Sequence, residues 1–239
     1  MRTPATLTIV ALFRICDPHD HDDDDTGVDD TAVEDTGEDG DGAIIVSPDD
    51  LQGWENSRDD GGDGGPCAGQ PRDGEGALCL SIPDPTDDLS PAYGWSISQD
   101  FGRLADLEAV SFDFWRDSTS GAYGHFTPAV VVYVQEPGED DTTALIWEGA
   151  YNGYAAYTDS VPEDVWVSQD MSDDHFWQWD DGVVEIYDRG LHDWGYSDDA
   201  RVVALGIQLG SGWNASWSGY ADLLSVTVDD ETTTWNFEP

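Results

Sequence analysis

The chain has 239 residues and carries 52 Asp and Glu against 8 arginines and no lysine, a formal net charge of −44. Such a surface repels nucleic-acid phosphates and anionic lipid headgroups, which argues against a nucleic-acid or membrane-surface partner. The length fits one β domain of ordinary core size plus a tail, and the acid is not confined to that tail. Residues 43–239 hold 39 acids against 6 arginines, a balance of −33. Two explanations stay open: adaptation to salty or calcium-containing surroundings, and a codon bias that depletes lysine.

At the start, Arg2 and the short apolar stretch Ala5 to Phe13 have the form of an export signal. The stretch is too short to span a bilayer. Cys16 follows it, and then a hydrophilic acidic run begins, the layout of a lipoprotein signal in which the cysteine is lipidated. Arg14 departs from that pattern, so an ordinary secretory peptide is the alternative. Residues 1–16 are thus expected to be a leader. Residues 17–42 (DPHDHDDDDTGVDDTAVEDTGEDGDG) hold almost no apolar side chain and half are acidic. Nothing there offsets ordering entropy, so they are expected to form a disordered linker. The domain is expected at 43–239.

Short strands separated by Gly, Pro, Asp and Asn are expected from residue 43 on. They are Ile44–Ser47, Ala77–Ile82, Tyr93–Gln99, Ala109–Trp115, Ala129–Gln135, Thr143–Gly149, Val165–Gln169, Val202–Leu209, Tyr220–Val228 and Thr233–Phe237. Val110, Phe112 and Phe114 alternate with Ser111, Asp113 and Trp115, the period of a half-buried strand. Val203, Leu205, Ile207 and Leu209 fall in phase in the same way. A short helix is expected near Leu191–Tyr196. Many short strands without a sustained helical period predict an all-β, two-sheet antiparallel sandwich. Cys67 and Cys79 are the only other cysteines. Outside the cytoplasm they are expected to form a local disulfide that clips the Gly-rich loop 61–76; two free thiols are the alternative.

Aromatic residues bunch. Tyr151, Asn152, Tyr154 and Tyr157 lie in one Gly-containing stretch, and Trp213 and Trp217 flank Asn214 in another. Flat aromatic faces stack on the C–H faces of sugars, and neighbouring amides bond hydroxyls. These six residues are the candidate ligand-binding set, against the alternative that the rings fill a wide core. No G-x-S-x-G, H-E-x-x-H or P-loop motif occurs. His125, His175 and His192 stand alone, and paired carboxylates are too common here to mark a catalytic pair.

Three runs, FTPAVVVYV from Phe126, ALIWEGAYNGY from Ala144 and GSGWNASWSGYADLLSVTVDDETTTWNFE from Gly210, resemble a group of uncharacterised exported bacterial proteins. Their shared domain is a jelly roll close in shape to galactose-binding-like and carbohydrate-binding-module sandwiches. The resemblance implies that fold and an extracytoplasmic setting, and no established activity. Members often carry a C-terminal sorting signal; here none precedes Pro239, so the anchor is expected at Cys16. Modules of this shape often hold a structural Ca²⁺ between an early loop and the last strands. Asp222, in phase with Leu224, Val226 and Val228, is the candidate ligand, with Asp49, Asp50 and Glu55 from the first loop. Capping of Asp222 by backbone amides is the alternative.

The leading expectation is an exported, surface-tethered, non-catalytic module that binds carbohydrate or a cell-surface polymer. It is expected to be a monomer, to touch the membrane only through its lipid anchor, and to need no cofactor beyond Ca²⁺. The second reading is a structural or adhesive surface protein with a cation-binding acidic coat. The third is a glycoside-active enzyme.

Overall fold

Period-two runs become strands in the computed structural model, which describes residues 42–154, 160–180, 183–210 and 213–239. The strands are β1 (Ile44–Val46), β2 (Trp54–Asp60), β3 (Asp63–Cys67), β4 (Ala77–Ile82), β5 (Ala92–Arg103), β6 (Leu107–Arg116) and β7 (Ala129–Gln135). They continue with β8 (Thr143–Trp147), β9 (Trp166–Asp170), β10 (Phe176–Asp180), β11 (Val183–Arg189), β12 (Arg201–Leu209), β13 (Trp217–Val228) and β14 (Glu231–Phe237). Single 3-10 turns lie at Leu104–Asp106 and Gly149–Tyr151.

The strands form two seven-stranded sheets, the expected all-β jelly-roll sandwich. The second sheet runs β11-β10-β8-β7-β12-β5-β2. The first is built on β13, whose one side pairs with β6 and through it with β9. The other side of β13 pairs first with β4, over Trp217–Ala221, and then with β14, over Leu224–Val228. Leu223, at a φ of 48°, makes the bulge between these two partners. β3 extends the β4 branch, and β1 lies parallel to β14.

The inner faces meet over a core of aliphatic and large aromatic side chains. Val110, Phe112, Phe114, Leu205, Ile207 and Leu209 are all buried in it, as their alternation predicts. Trp54, Trp147, Trp217 and Trp235 are among its largest fully buried members. Trp54 meets Trp235 and Phe237 edge to face, at 5.9 and 5.1 Å between centroids. Arg116 is also buried, with its guanidinium bonded to the carbonyls of Ala122 and Phe126 and paired with Glu163 at 3.3 Å.

Several expectations change. A bulge between Val202 and Ala204 turns Val202 inward in place of Val203. Residues 191–194 form turns and no helix, because Gly195, at a φ of 76°, breaks the run. Two strands, β2 and β3, carry no alternation that would announce them. Their sequences, WENSRDD and DGGPC, hold few apolar side chains, and each strand sits at a sheet edge. Cys67 and Cys79 form the disulfide, with Cα atoms 5.9 Å apart, so it joins β3 to β4 at the foot of a loop spanning 68–76.

Candidate functional site

The outer face of the second sheet is built from the residues that alternate with the core. Two rows cross it. Gly206, Val131, Ile146 and Trp177 are register neighbours in one; Ala204, Tyr133, Ala144 and Trp179 form the other. Ala129, Val131, Tyr133, Ile146, Trp177 and Ala204 make a buried cluster separate from the inter-sheet core, with Ala144, Trp179, Tyr187 and Val203 packed on it. Gly206 and Ala204 of β12, both buried, and Ala144 of β8, half-buried, form the floor of this face. The rings of β10 and β11 stand along one side of it.

Those rings form a ledge. Tyr151 stacks on Tyr187 at 4.2 Å and 20° between planes. Trp177 lies 6.1 Å from Tyr187 and 6.2 Å from Trp179. Trp177 is 5% exposed, Trp179 and Tyr187 are half-buried, and Tyr151 is 41% exposed. The ledge therefore grades from a buried root to a ring open to solvent. Glu148 directly follows β8 and caps the turn that carries Tyr151. Burial pushes its carboxyl up to about 7, and a hydrogen bond from the Trp177 side chain pulls the other way. Farther along the floor, Gln208 Nε2 donates to the Tyr133 hydroxyl at 2.8 Å, and burial pushes that phenol up to about 12.

The predicted residues divide. Tyr151 belongs to the ledge. Asn152 holds it there without facing outward. Its Nδ2 donates to the Glu148 and His175 carbonyls at 3.0 and 2.9 Å, and its Oδ1 accepts the His175 N–H at 2.8 Å. These bonds tie the Gly149–Tyr151 turn to the entry of β10. Tyr154 packs against the inter-sheet core, and Tyr157 lies outside the described residues. Trp213 and Trp217 are corrected: they are 5% and 1% exposed, Trp213 stacks on Phe126 at 4.7 Å, and Trp217 Nε1 donates to the Phe126 carbonyl. Trp217 opens β13 on its inner face, and Trp213 packs beside it at 6.1 Å between centroids. Trp177, Trp179 and Tyr187 are ledge members outside the candidate set drawn from the sequence. The spacing of Trp177 and Trp179 does put both on one strand face. Which of the two faces looks outward is decided by packing against the first sheet.

The calcium set does not assemble. Among the described residues, no three His, Cys, Asp or Glu side chains come together as metal ligands. Asp50 is exposed and its carboxylate takes the Gln52 amide at 2.7 Å, Asp49 is exposed, and Glu55 lies exposed on β2 in the other sheet. Asp222 is fully buried, but it faces away from the core, because Ala221 and Leu224 on either side of the bulge point inward. Its Oδ1 accepts the Leu223 and Phe237 N–H groups at 2.8 and 3.0 Å. It thus serves backbone donors where β13 changes partner from β4 to β14. Burial raises this carboxyl to about 7, against the pull of those amides. Residue 16, the candidate lipidation site, lies outside the described residues.

No protein-family model and no curated protein matches the chain. Solved structures similar to it are carbohydrate-binding-module sandwiches. The family 11 module of the cellulosomal cellulase Lic26A-Cel5E of Clostridium thermocellum has a TM-score of 0.47 at 13% identity, over 80% of this chain and 91% of that one. A structure of the Clostridium thermocellum family 11 module in complex with a β-1,3-1,4-mixed-linked tetrasaccharide has a TM-score of 0.46 at 12% identity, over 80% and 93%. A non-crystalline cellulose specific module, CBM28, has a TM-score of 0.40 at 10% identity, over 78% and 89%.

Proposed function

We propose that this chain is a non-catalytic module that holds a glycan against the ledge of Tyr151, Tyr187, Trp177 and Trp179. The observation that carries the reading is the near-parallel stack of Tyr151 on Tyr187, continued into two tryptophans on the same sheet face. Pyranose rings present apolar C–H faces that pack on such rings, while hydroxyls keep polar neighbours. Beside the exposed Tyr151, Trp179, Tyr187 and Ala144 are half-buried, so the outer end of the ledge is the part a sugar can reach. Glu148, half-buried between β8 and the turn that carries Tyr151, is a polar group that can meet hydroxyls there.

A polysaccharide panel read by affinity electrophoresis and calorimetry tests this. Wild type is expected to bind at least one polymer, with Tyr151→Ala and Trp179→Ala each weakening it about tenfold at an unchanged melting temperature. Both rings are partly exposed, so neither truncation opens the core. Retention of no polymer removes the reading. Release of reducing sugar, lost in Glu148→Gln, would replace it with a glycoside-active enzyme.

The same reading sets the chain outside the cytoplasm, tethered through Cys16. The apolar run Ala5 to Phe13 and the Cys67–Cys79 disulfide support this setting. Palmitate incorporation that Cys16→Ser abolishes is the result expected of it.

A further inference from the structure

A glycan-binding ledge still leaves open which glycans it accepts, and the positive charges of the chain bear on that choice. Residues 43–239 contain six cationic side chains, all arginine, against 39 carboxylates. Five of the six are already paired with a carboxylate. Arg58 bonds Asp60 at 2.9 Å, Arg103 bonds Asp106 at 2.6 Å, and Arg201 bonds Asp100 at 2.7 Å. Arg72 is paired with Asp113, and the buried Arg116 with Glu163. The sixth, Arg189, lies with its guanidinium 4.9 Å from the centroid of the Trp194 ring. It is on β11, the strand of Tyr187, and its chain neighbour Asp188 is exposed.

A uronate, sulfate or phosphate on a sugar needs a cation or a set of converging N–H donors to replace its hydration. Bidentate arginine is the usual provider. On this chain carboxylates hold five of the six arginines, the sixth, Arg189, lies against the Trp194 ring, and residues 43–239 carry a balance of −33. At low ionic strength the field of such a surface reaches well beyond contact distance, about 30 Å at 0.01 M salt. Approach of a polyanion therefore meets repulsion before any contact with the ledge can form. An uncharged polymer meets neither penalty, because ring stacking and hydroxyl bonds do not depend on net charge.

We infer that the ledge is selective for uncharged glycan chains and rejects polymers that carry carboxylate, sulfate or phosphate. This rests on the glycan reading above and adds to it the ligand class and a salt dependence of opposite form for the two kinds of polymer. A neutral chain binds with an affinity that is nearly flat in salt. A polyanionic chain of the same backbone binds at least about tenfold more weakly at low salt, and the gap narrows as salt screens the repulsion.

The test compares matched pairs on the full chain: a neutral polysaccharide and its carboxylated counterpart, at about 0.02 M and about 0.5 M NaCl. Rejection of the carboxylated member that relaxes with salt supports the inference. Equal or tighter binding of the carboxylated member at low salt overturns the inference and leaves the ledge standing. Loss of that binding in Arg189→Gln would then locate the anion contact at Arg189. Binding of neither member, with wild-type folding by circular dichroism, overturns the ledge and this inference together.

Discussion

Two side chains show how a single residue can look like a ligand group and serve the backbone instead. Asn152 spends three hydrogen bonds on the Glu148 and His175 main chain, and so fixes the turn that presents Tyr151. Asn152→Ala is expected to weaken glycan binding about fivefold, roughly 1 kcal/mol of lost positioning, with a melting temperature within a few degrees of wild type. Asp222 has a pH signature. Its carboxyl is raised from 3.8 to about 7 in the folded chain, so between those values the folded state holds a proton the unfolded state has released. Its contribution to stability is present below the unfolded value and is lost as pH rises toward 7. Asp222→Asn keeps an oxygen acceptor for Leu223 and Phe237 and removes the titration. Its melting temperature, followed from pH 4 to pH 8, is expected to fall less than that of wild type. Glu148 and Asp174, both raised by burial, keep their share of the slope.

At the scale of elements, the segment 68–76 acts as a strap over the outer face of the first sheet. Gly69 lies so close to the Tyr220 ring that a Cβ there would meet it at 2.2 Å. The Pro71 carbonyl accepts the Trp166 indole N–H at 3.1 Å, Arg72 pairs with Asp113, and Asp73 accepts from Asn236 at 3.3 Å. Glu75 N–H reaches Glu238 at 2.8 Å. The strap thus touches β9, β6, β14 and the chain end, and the Cys67–Cys79 bond closes its base. A loop of this length, with 12 positions between the cysteines, loses about 3 kcal/mol of closure entropy in the unfolded chain when bridged. The Cys67→Ser, Cys79→Ser double variant is expected to melt on the order of 10 °C lower in a thermal scan. Glycan binding below that temperature should be unchanged, because the strap and the ledge belong to opposite sheets.

For the whole molecule, a formal net charge of −44 makes self-repulsion work against the folded state. Raising NaCl from about 0.02 M to about 1 M is expected to raise the melting temperature steadily, as the Debye length shortens from tens of ångströms to about 3 Å. CaCl₂ at matched ionic strength should follow the same curve if screening is the cause. A saturable extra rise with calcium would instead reveal a specific site, against the scattered positions of Asp49, Asp50, Glu55 and Asp222.

Alternation and composition were enough to place β6, β7, β12 and β13 and to predict a two-sheet sandwich, because a period of two is a local property of the chain. The disulfide was legible for a similar reason, since two cysteines with no other nearby partner must pair locally or not at all. The binding ledge was legible only as a surplus of aromatic rings. Trp217, between Ser216 and Ser218, looks the more exposed of the two in sequence, and Trp177, between Phe176 and Gln178, the more buried. One is sealed between the sheets and the other lies at the root of the ledge. That assignment depends on which face of a strand meets the opposite sheet, and on bulges such as those at Val203 and Leu223 that reverse the phase midway. Both are set by the pairing of distant strands, which only the tertiary structure decides.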